Sequence, residues 1–254
     1  MTFRRSLFAV GLFCFVAQAA LPQQAPVHLL VSNGMKAVVE ALQPKIESRI
    51  GHPLAMEYGS TTGLMEKIDH GAAFDIAILT SDGVDELVKK GKVPAASRAD
   101  FARCGVGLAV KSGTPKPDIA TPEALKKTLE TAASITYAGD GASRPAIDHM
   151  LERLGLAEKT KSKVILTKGS GPAMASVAEG RVAVVMTLIS ELMPVKGIDI
   201  VGPLPGDLQN YVRFGAGVGG SASQPEAAKA LIAFLGSADA APVYKAKGME
   251  AVRK

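Results

Sequence analysis

The chain has 254 residues, with 29 Lys+Arg against 24 Asp+Glu, 47% apolar residues, 26 Gly, 15 Pro and two Cys. That length supports one large or two modest domains around a real hydrophobic core, and the mixed charge and apolar content exclude a disordered, collagen-like or coiled-coil chain. Two cysteines exclude a disulfide scaffold and a cysteine-built metal cage.

The elements begin with a targeting pattern. Arg4 and Arg5 precede an apolar run from Leu7 to Val16, which ends in Ala17-Gln18-Ala19. This three-part layout predicts a cleavable secretory signal over residues 1–19, and its apolar run is too short to anchor in a bilayer. The rest of the chain carries 27 basic and 24 acidic residues and has no second long apolar run. An exported soluble protein of a Gram-negative periplasm is therefore expected. The small, scattered positive charge and the absence of Trp argue against nucleic acid as a partner. Cys104 is left without a pair and is expected to be a buried thiol.

Short β-branched runs then alternate with helical patterns, which predicts an α/β fold with mostly parallel strands. Val27 to Val31 reads as a strand, and Met35, Val38, Val39, Leu42 and Ile46 recur at helical spacing. Leu54 to Tyr58 is a second strand, followed by a helix opened by Leu64, Met65 and Ile68. Phe74 to Leu79 reads as a strand buried on both faces, and Ser81 as the cap of a helix carrying Val84, Leu87 and Val88. Thr121-Pro122-Glu123 is a cap followed by proline at the first helical position. Ser134 to Ala138, Lys163 to Thr167 and Val182 to Thr187 are the strands of the second half, and Ser223-Gln-Pro225-Glu226 opens a helix over Ala227 to Leu235.

Two glycine-punctuated extended stretches, Gly105 to Val110 and Tyr211 to Val218, bracket a central block of about 100 residues. They read as crossings between two lobes, with residues 20–104 plus 213–254 in one lobe and 105–212 in the other. A cleft between such lobes closes on a ligand by hinge motion.

Four small-polar clusters follow strands and precede helices: Ser32-Asn33-Gly34, Ser60-Thr61-Thr62-Gly63, Ala142-Ser143-Arg144-Pro145 and Gly169-Ser170-Gly171-Pro172. Each sets hydroxyls and free backbone N–H groups at the positive end of a helix, where anions bind. Plain helix capping is the competing explanation for any single cluster. Four of them, divided between the two expected lobes, favour an anion site. Arg144 stands just before a helix and offers bidentate recognition of a carboxylate.

No GxxxxGK[ST] loop, HExxH pair, GxSxG elbow or dinucleotide fingerprint occurs, so nucleotide hydrolysis, a bound metal and a cofactor are not expected. Glu191 and His149 are able to carry protons, but solvated or core roles are expected for both.

Val31-Ser-Asn-Gly-Met-Lys36, the stretch from Tyr58 through Asp75 to Leu79, and Leu87-Val-Lys-Lys-Gly-Lys-Val93 resemble the periplasmic molybdate-binding proteins of ABC importers. The resemblance covers essentially the whole exported chain. It implies a type II periplasmic-binding fold: two lobes, each a parallel-rich sheet flanked by helices, with two hinge crossings, closing on a small anion for delivery to a membrane permease. A monomer is expected.

Carried over position by position, the family's first ligand serine falls on Gly34, with Ser32 and Asn33 beside it. The second falls on Thr61, which keeps the hydroxyl. The two backbone amides fall near Ala146 and Ser170. The tyrosine falls on or near Leu188, so its hydroxyl is missing, although Thr187 is adjacent. With two donors lost and Arg144 added, a larger organic anion is expected in place of molybdate, a di- or tricarboxylate gripped by Arg144 and the hydroxyl clusters. The chain also resembles the aconitate isomerases, exported enzymes of the same fold that interconvert trans- and cis-aconitate. They need a base near the substrate carbon in addition to anion donors. A binding protein is the first expectation and an isomerase the alternative.

Overall fold

The computed structural model describes residues 24–252; the export signal expected over residues 1–19 lies outside them. The chain opens with a parallel β-α-β-α-β run: β1 (Val27–Ser32), α1 (Lys36–Ile50), β2 (Leu54–Gly59), α2 (Thr61–Asp69) and β3 (Ile76–Thr80). Val38, Val39, Leu42 and Ile46 give α1 the buried face anticipated from their spacing. Gly51, with φ of +74°, ends that helix in the left-handed conformation that favours glycine. Next come α3 (Ser81–Lys89), β4 (Ala99–Cys104) and β5 (Val106–Lys111). The cap of α3 is Thr80, whose hydroxyl accepts the Gly83 N–H, and Ser81 is the first helical residue.

The middle of the chain holds α4 (Pro122–Thr131), β6 (Ile135–Ala138), α5 (Arg144–Arg153), α6 (Ala157–Thr160), β7 (Val164–Thr167) and α7 (Ser170–Ala178). It continues through β8 (Val184–Leu188), α8 (Ile189–Leu192) and β9 (Ile198–Pro203), then β10 (Val212–Val218), α9 (Pro225–Leu235), α10 (Ala241–Ala246) and β11 (Met249–Ala251). Thr121 caps α4 by accepting the Ala124 N–H at 3.1 Å, with proline next as expected.

Two sheets result, with strand orders β11-β4-β10-β3-β1-β2 and β7-β6-β8-β5-β9. Each has a parallel core, β2-β1-β3 in one and β7-β6-β8 in the other, extended by antiparallel strands. The antiparallel strands arise where the chain passes between sheets. β4 belongs to the first sheet and β5 to the second, with only Gly105 between them, and the return runs from β9 to β10. The glycine-marked stretches are thus mostly sheet strands, and the crossings are the short links beside them. Gln209 ties both links together, accepting the Val106 N–H and donating to the Val106 carbonyl, each at 2.9 Å.

Asp75 fixes the entry to β3. Its buried carboxylate accepts the His28 N–H at 2.8 Å, the Ser223 N–H at 2.6 Å, the Ser223 hydroxyl at 3.0 Å and the Gln224 N–H at 2.9 Å. One side chain therefore joins β1, β3 and the start of α9.

Candidate functional site

In both sheets the parallel strands end at turns that lead into helices, and these turns border the space between the two lobes. On the first lobe the Thr61 hydroxyl, at the start of α2, donates to Ser32 Oγ at the end of β1 at 3.4 Å. Thr61 Oγ1 also accepts the Thr80 N–H at 3.2 Å. Ser60 is a true cap, accepting the Gly63 N–H at 3.1 Å. Thr62 is exposed, and Asn33 lies in a single 3-10 turn over Asn33–Met35.

On the second lobe the hydroxyls do not cap their own helices. Ser143 precedes α5 and Ser170 begins α7, yet neither helix has a side-chain cap. Ser143 Oγ instead lies 3.5 Å from Thr187 Oγ1 at the end of β8. Thr187 donates to Glu191 Oε2, and the Ser170 hydroxyl donates to Glu191 Oε1 at 2.8 Å. Capping therefore explains Ser60 but not Ser143 or Ser170, and the first N–H groups of α5 and α7 keep no side-chain partner. Gly169, with φ of +77°, makes the sharp entry into α7, and its N–H donates to Asp140 at 2.7 Å.

Glu191 is the residue that sequence reasoning undervalued. Burial raises its carboxyl above the ordinary range, against the opposing hydrogen bonds from Thr187, Ser170 and the Leu188 backbone. The only advance signal was an acid within four residues of a strand end, which by itself is ordinary. The two walls meet beside it. The Ser190 hydroxyl donates to the Gly34 carbonyl at 2.8 Å, and Cys104 Sγ lies 3.4 Å from Ser190 Oγ. Cys104 is the buried thiol anticipated, and His149, the other proton carrier considered, is exposed.

Gly34 has no room for a side chain. A Cβ there would lie 2.6 Å from the Phe214 ring and 2.7 Å from Leu188 Cδ1. The space a serine would occupy is filled by Phe214 and Leu188, both fully buried. Gly34→Ser is expected to lower stability by about 1–3 kcal/mol through overpacking, read as a fall in denaturation midpoint.

Two hollows open between the lobes. One, of about 410 Å³, is lined by Thr61, Thr62, Ser81, Asp82, Asp140, Ala146 and Arg213 among others, so two carboxylates and one guanidinium share it. The other, of about 840 Å³, is lined by Ser60, Thr62, Lys67, His70, Lys168 and Gly169 among others. Arg213, on β10, is exposed and has no ion-pair partner among the described residues. Arg144 behaves differently. Its guanidinium pairs with Asp148 and donates to the Gly139 carbonyl at 3.3 Å, with Cζ 5.7 Å from the Tyr137 ring centre. It lines a separate hollow with Tyr137, Asp148 and Leu166. Hydrogen bonds thus join Ser143, Thr187 and Ser170 into one buried group through Glu191 and link Ser32 to Thr61, while Thr61 and Ala146 line the 410 Å³ hollow and the Arg144 head group stands aside. A further hollow of about 710 Å³ is lined by alanines, Val218, Ile232, Lys229 and Arg98 among others, and its Arg98 is paired with Asp85 and Asp100.

Two α/β lobes with hydroxyl-rich helix starts around a shared cleft define a ligand-capturing protein of the two-lobed periplasmic-binding class. The chain belongs to the family described as bacterial extracellular solute-binding proteins, whose model matches residues 27–250. It is 30% identical over 257 residues to an aconitate isomerase from a Pseudomonas species, covering 98% of this chain and 97% of that protein. It is 29% identical to the molybdate-binding protein ModA of Azotobacter vinelandii, with 98% of each chain covered. A solved Azotobacter vinelandii periplasmic molybdate-binding protein shares the fold with a TM-score of 0.76 at 17% identity, over 90% of this chain and 99% of that one.

Proposed function

We propose that this chain is a periplasmic receptor for a small organic di- or tricarboxylate, acting as a monomer that delivers its ligand to an ABC-type permease. Residues 20–104 with 213–254 would form one lobe and 105–212 the other. The observation that carries the proposal is the pair of hydroxyl groups, Ser32–Thr61 and Ser143–Thr187–Ser170, at strand-to-helix turns, the kind of place where helix starts favour anions. Gly34 and Leu188 stand where the resemblance placed a ligand serine and a ligand tyrosine, so a bare tetrahedral oxyanion finds fewer donors here. Arg213 offers a cation at the cleft wall for a second carboxylate.

Calorimetry with citrate, tricarballylate and trans-aconitate against molybdate and sulfate tests this. Tricarboxylate binding with one site per chain is expected, and binding of molybdate alone would overturn the carboxylate assignment. Thr61→Val is expected to weaken the bound ligand by about 1–3 kcal/mol, the worth of one hydrogen bond in a closed site. An unchanged affinity would move the site away from α2.

One observation favours a second function, an aconitate isomerase. Glu191 places a carboxylate of raised proton affinity among the hydroxyls, as a base for allylic proton transfer requires. It would take a proton from the CH₂ carbon of trans-aconitate. The electron pair would spread over the allylic carbons and adjoining carboxylates, and the proton would return at the far allylic carbon as the double bond shifts. Proton NMR of trans-aconitate in large excess decides between the two. Growth of cis-aconitate signals in proportion to protein marks the enzyme, line broadening without conversion marks a carboxylate receptor, and sharp unchanged lines count against both.

A further inference from the structure

A carboxylate is an unexpected occupant for a site built to hold anions. Glu191 takes the hydroxyl hydrogens of Thr187 and Ser170, which an incoming anion would use, and Ser143 adjoins through Thr187. No cation among the described residues pairs with it: Arg213, the cation of the 410 Å³ hollow, shares that hollow with the carboxylates of Asp82 and Asp140. Glu191's own helix α8 contributes Ile189, Ser190 and Leu192, with no other charge. From β4 the nearby titratable group is the Cys104 thiol, which burial raises and the charge of Glu191 raises further. The turn before α7 carries exposed Lys168, and the turn before α5 carries Asp140, which accepts the Gly169 N–H. Arg144 on α5 is paired with Asp148, and Lys36 at the start of α1 is paired with Glu40. None of the ion pairs among the described residues includes Glu191.

We infer that Glu191 is a specificity-determining residue that admits a fully ionised anion to this cleft only together with one proton. This rests on the cleft being an anion site. In the ligand-free protein the carboxylate accepts the Thr187 and Ser170 hydroxyls. With an anion bound, two negative groups would otherwise share a poorly hydrated space, so Glu191 takes up a proton and its new O–H donates to the ligand. Thr187 and Ser170 are then free to turn their hydrogens to the anion as well. A ligand that brings its own proton satisfies the same requirement, whereas sulfate and molybdate, fully ionised at neutral pH, bind only at the expense of a proton from solvent. The raised proton affinity that burial gives Glu191 eases this uptake.

The probe is tricarballylate, a saturated tricarboxylate that has no allylic system to isomerise. Its calorimetric binding heat at pH 8 is measured in two buffers of different ionisation enthalpy, HEPES and Tris, which yields the protons taken up. The expected result is an uptake approaching one proton per ligand. Affinity falls by up to about tenfold per pH unit wherever Glu191 is ionised in the free protein and protonated in the complex. Glu191→Gln is expected to bind without uptake and with an affinity flat over that range. No uptake by the unmodified protein overturns the inference whether or not the variant folds, and uptake that persists in Glu191→Gln assigns the proton to another group and overturns it equally. If neither folded protein binds any tricarboxylate, the carboxylate-receptor proposal itself falls, an outcome distinct from binding without proton uptake.

Discussion

Arg213→Ala is expected to weaken tricarboxylate binding about 10- to 100-fold, corresponding to one charge-assisted hydrogen bond of roughly 1.5–3 kcal/mol. The parallel change Arg144→Ala is expected to alter affinity by less than about threefold, because its guanidinium is committed to Asp148 and lines a separate hollow. Both residues are arginines beside the cleft, but their surroundings differ. Arg144 has an acid one helical turn away, and Asp148 holds the guanidinium against α5 and the Tyr137 ring. Arg213 lies on a strand with Arg103 opposite in register, and Arg103 itself is taken by Glu250. Its head group is thus left to the hollow that Thr61 and Ala146 share. Calorimetry on the two variants separates the cases, and a large loss in Arg144→Ala with none in Arg213→Ala would falsify the assignment.

Asp75→Ala is expected to lower folding stability by about 2–3 kcal/mol, since it leaves the part-buried N–H groups of His28, Ser223 and Gln224 without their protein acceptor. Burial by itself would raise this carboxyl, but the four hydrogen bonds outweigh burial and hold it below the ordinary carboxylate value. The sign of the pH dependence follows. With the folded value depressed, its contribution is fully present above the unfolded carboxylate range near about 4 and is lost as pH falls through the folded value. Urea denaturation at neutral pH should show the variant much weaker than the unmodified protein. The gap should narrow as the solution is acidified below that range, and a constant gap across pH would remove the ionic part of the explanation. Asp75 is remote from the cleft in role, so ligand affinity measured on the folded fraction should be nearly unchanged.

Much of the architecture was legible in the residues. The spacing of Val38, Val39, Leu42 and Ile46 located α1, the apolar run before Thr80 located β3, and Thr121-Pro122 located α4. These are local signals, set by helical and strand periods and by the fixed backbone of proline. Strands β4, β9 and β11 were missed. Ala99–Cys104 mixes charged and apolar residues because it is covered unevenly by β10 and β11, and β11 is only three residues long. Pairing in a sheet depends on which strand lies alongside, and no local period encodes that.

The candidate site divides the same way. The positions of the hydroxyl clusters followed from strand-to-helix order, and so did the family to which the chain belongs. The destination of each hydroxyl did not. Ser60 and Ser143 both precede helices, yet one caps its own helix and the other meets Thr187, 44 positions along the chain. The chain by itself determined an alternating α/β protein with small polar residues at the helix starts, because periodicity, capping and glycine act within a few residues. Only the tertiary structure decided that Glu191 stands among those hydroxyls, that Phe214 and Leu188 fill the space beside Gly34, and that Arg213 faces the cleft while Arg144 turns to Asp148. Those outcomes rest on contacts between residues far apart in sequence, where packing and electrostatic balance choose among rotamers that local sequence leaves equally open.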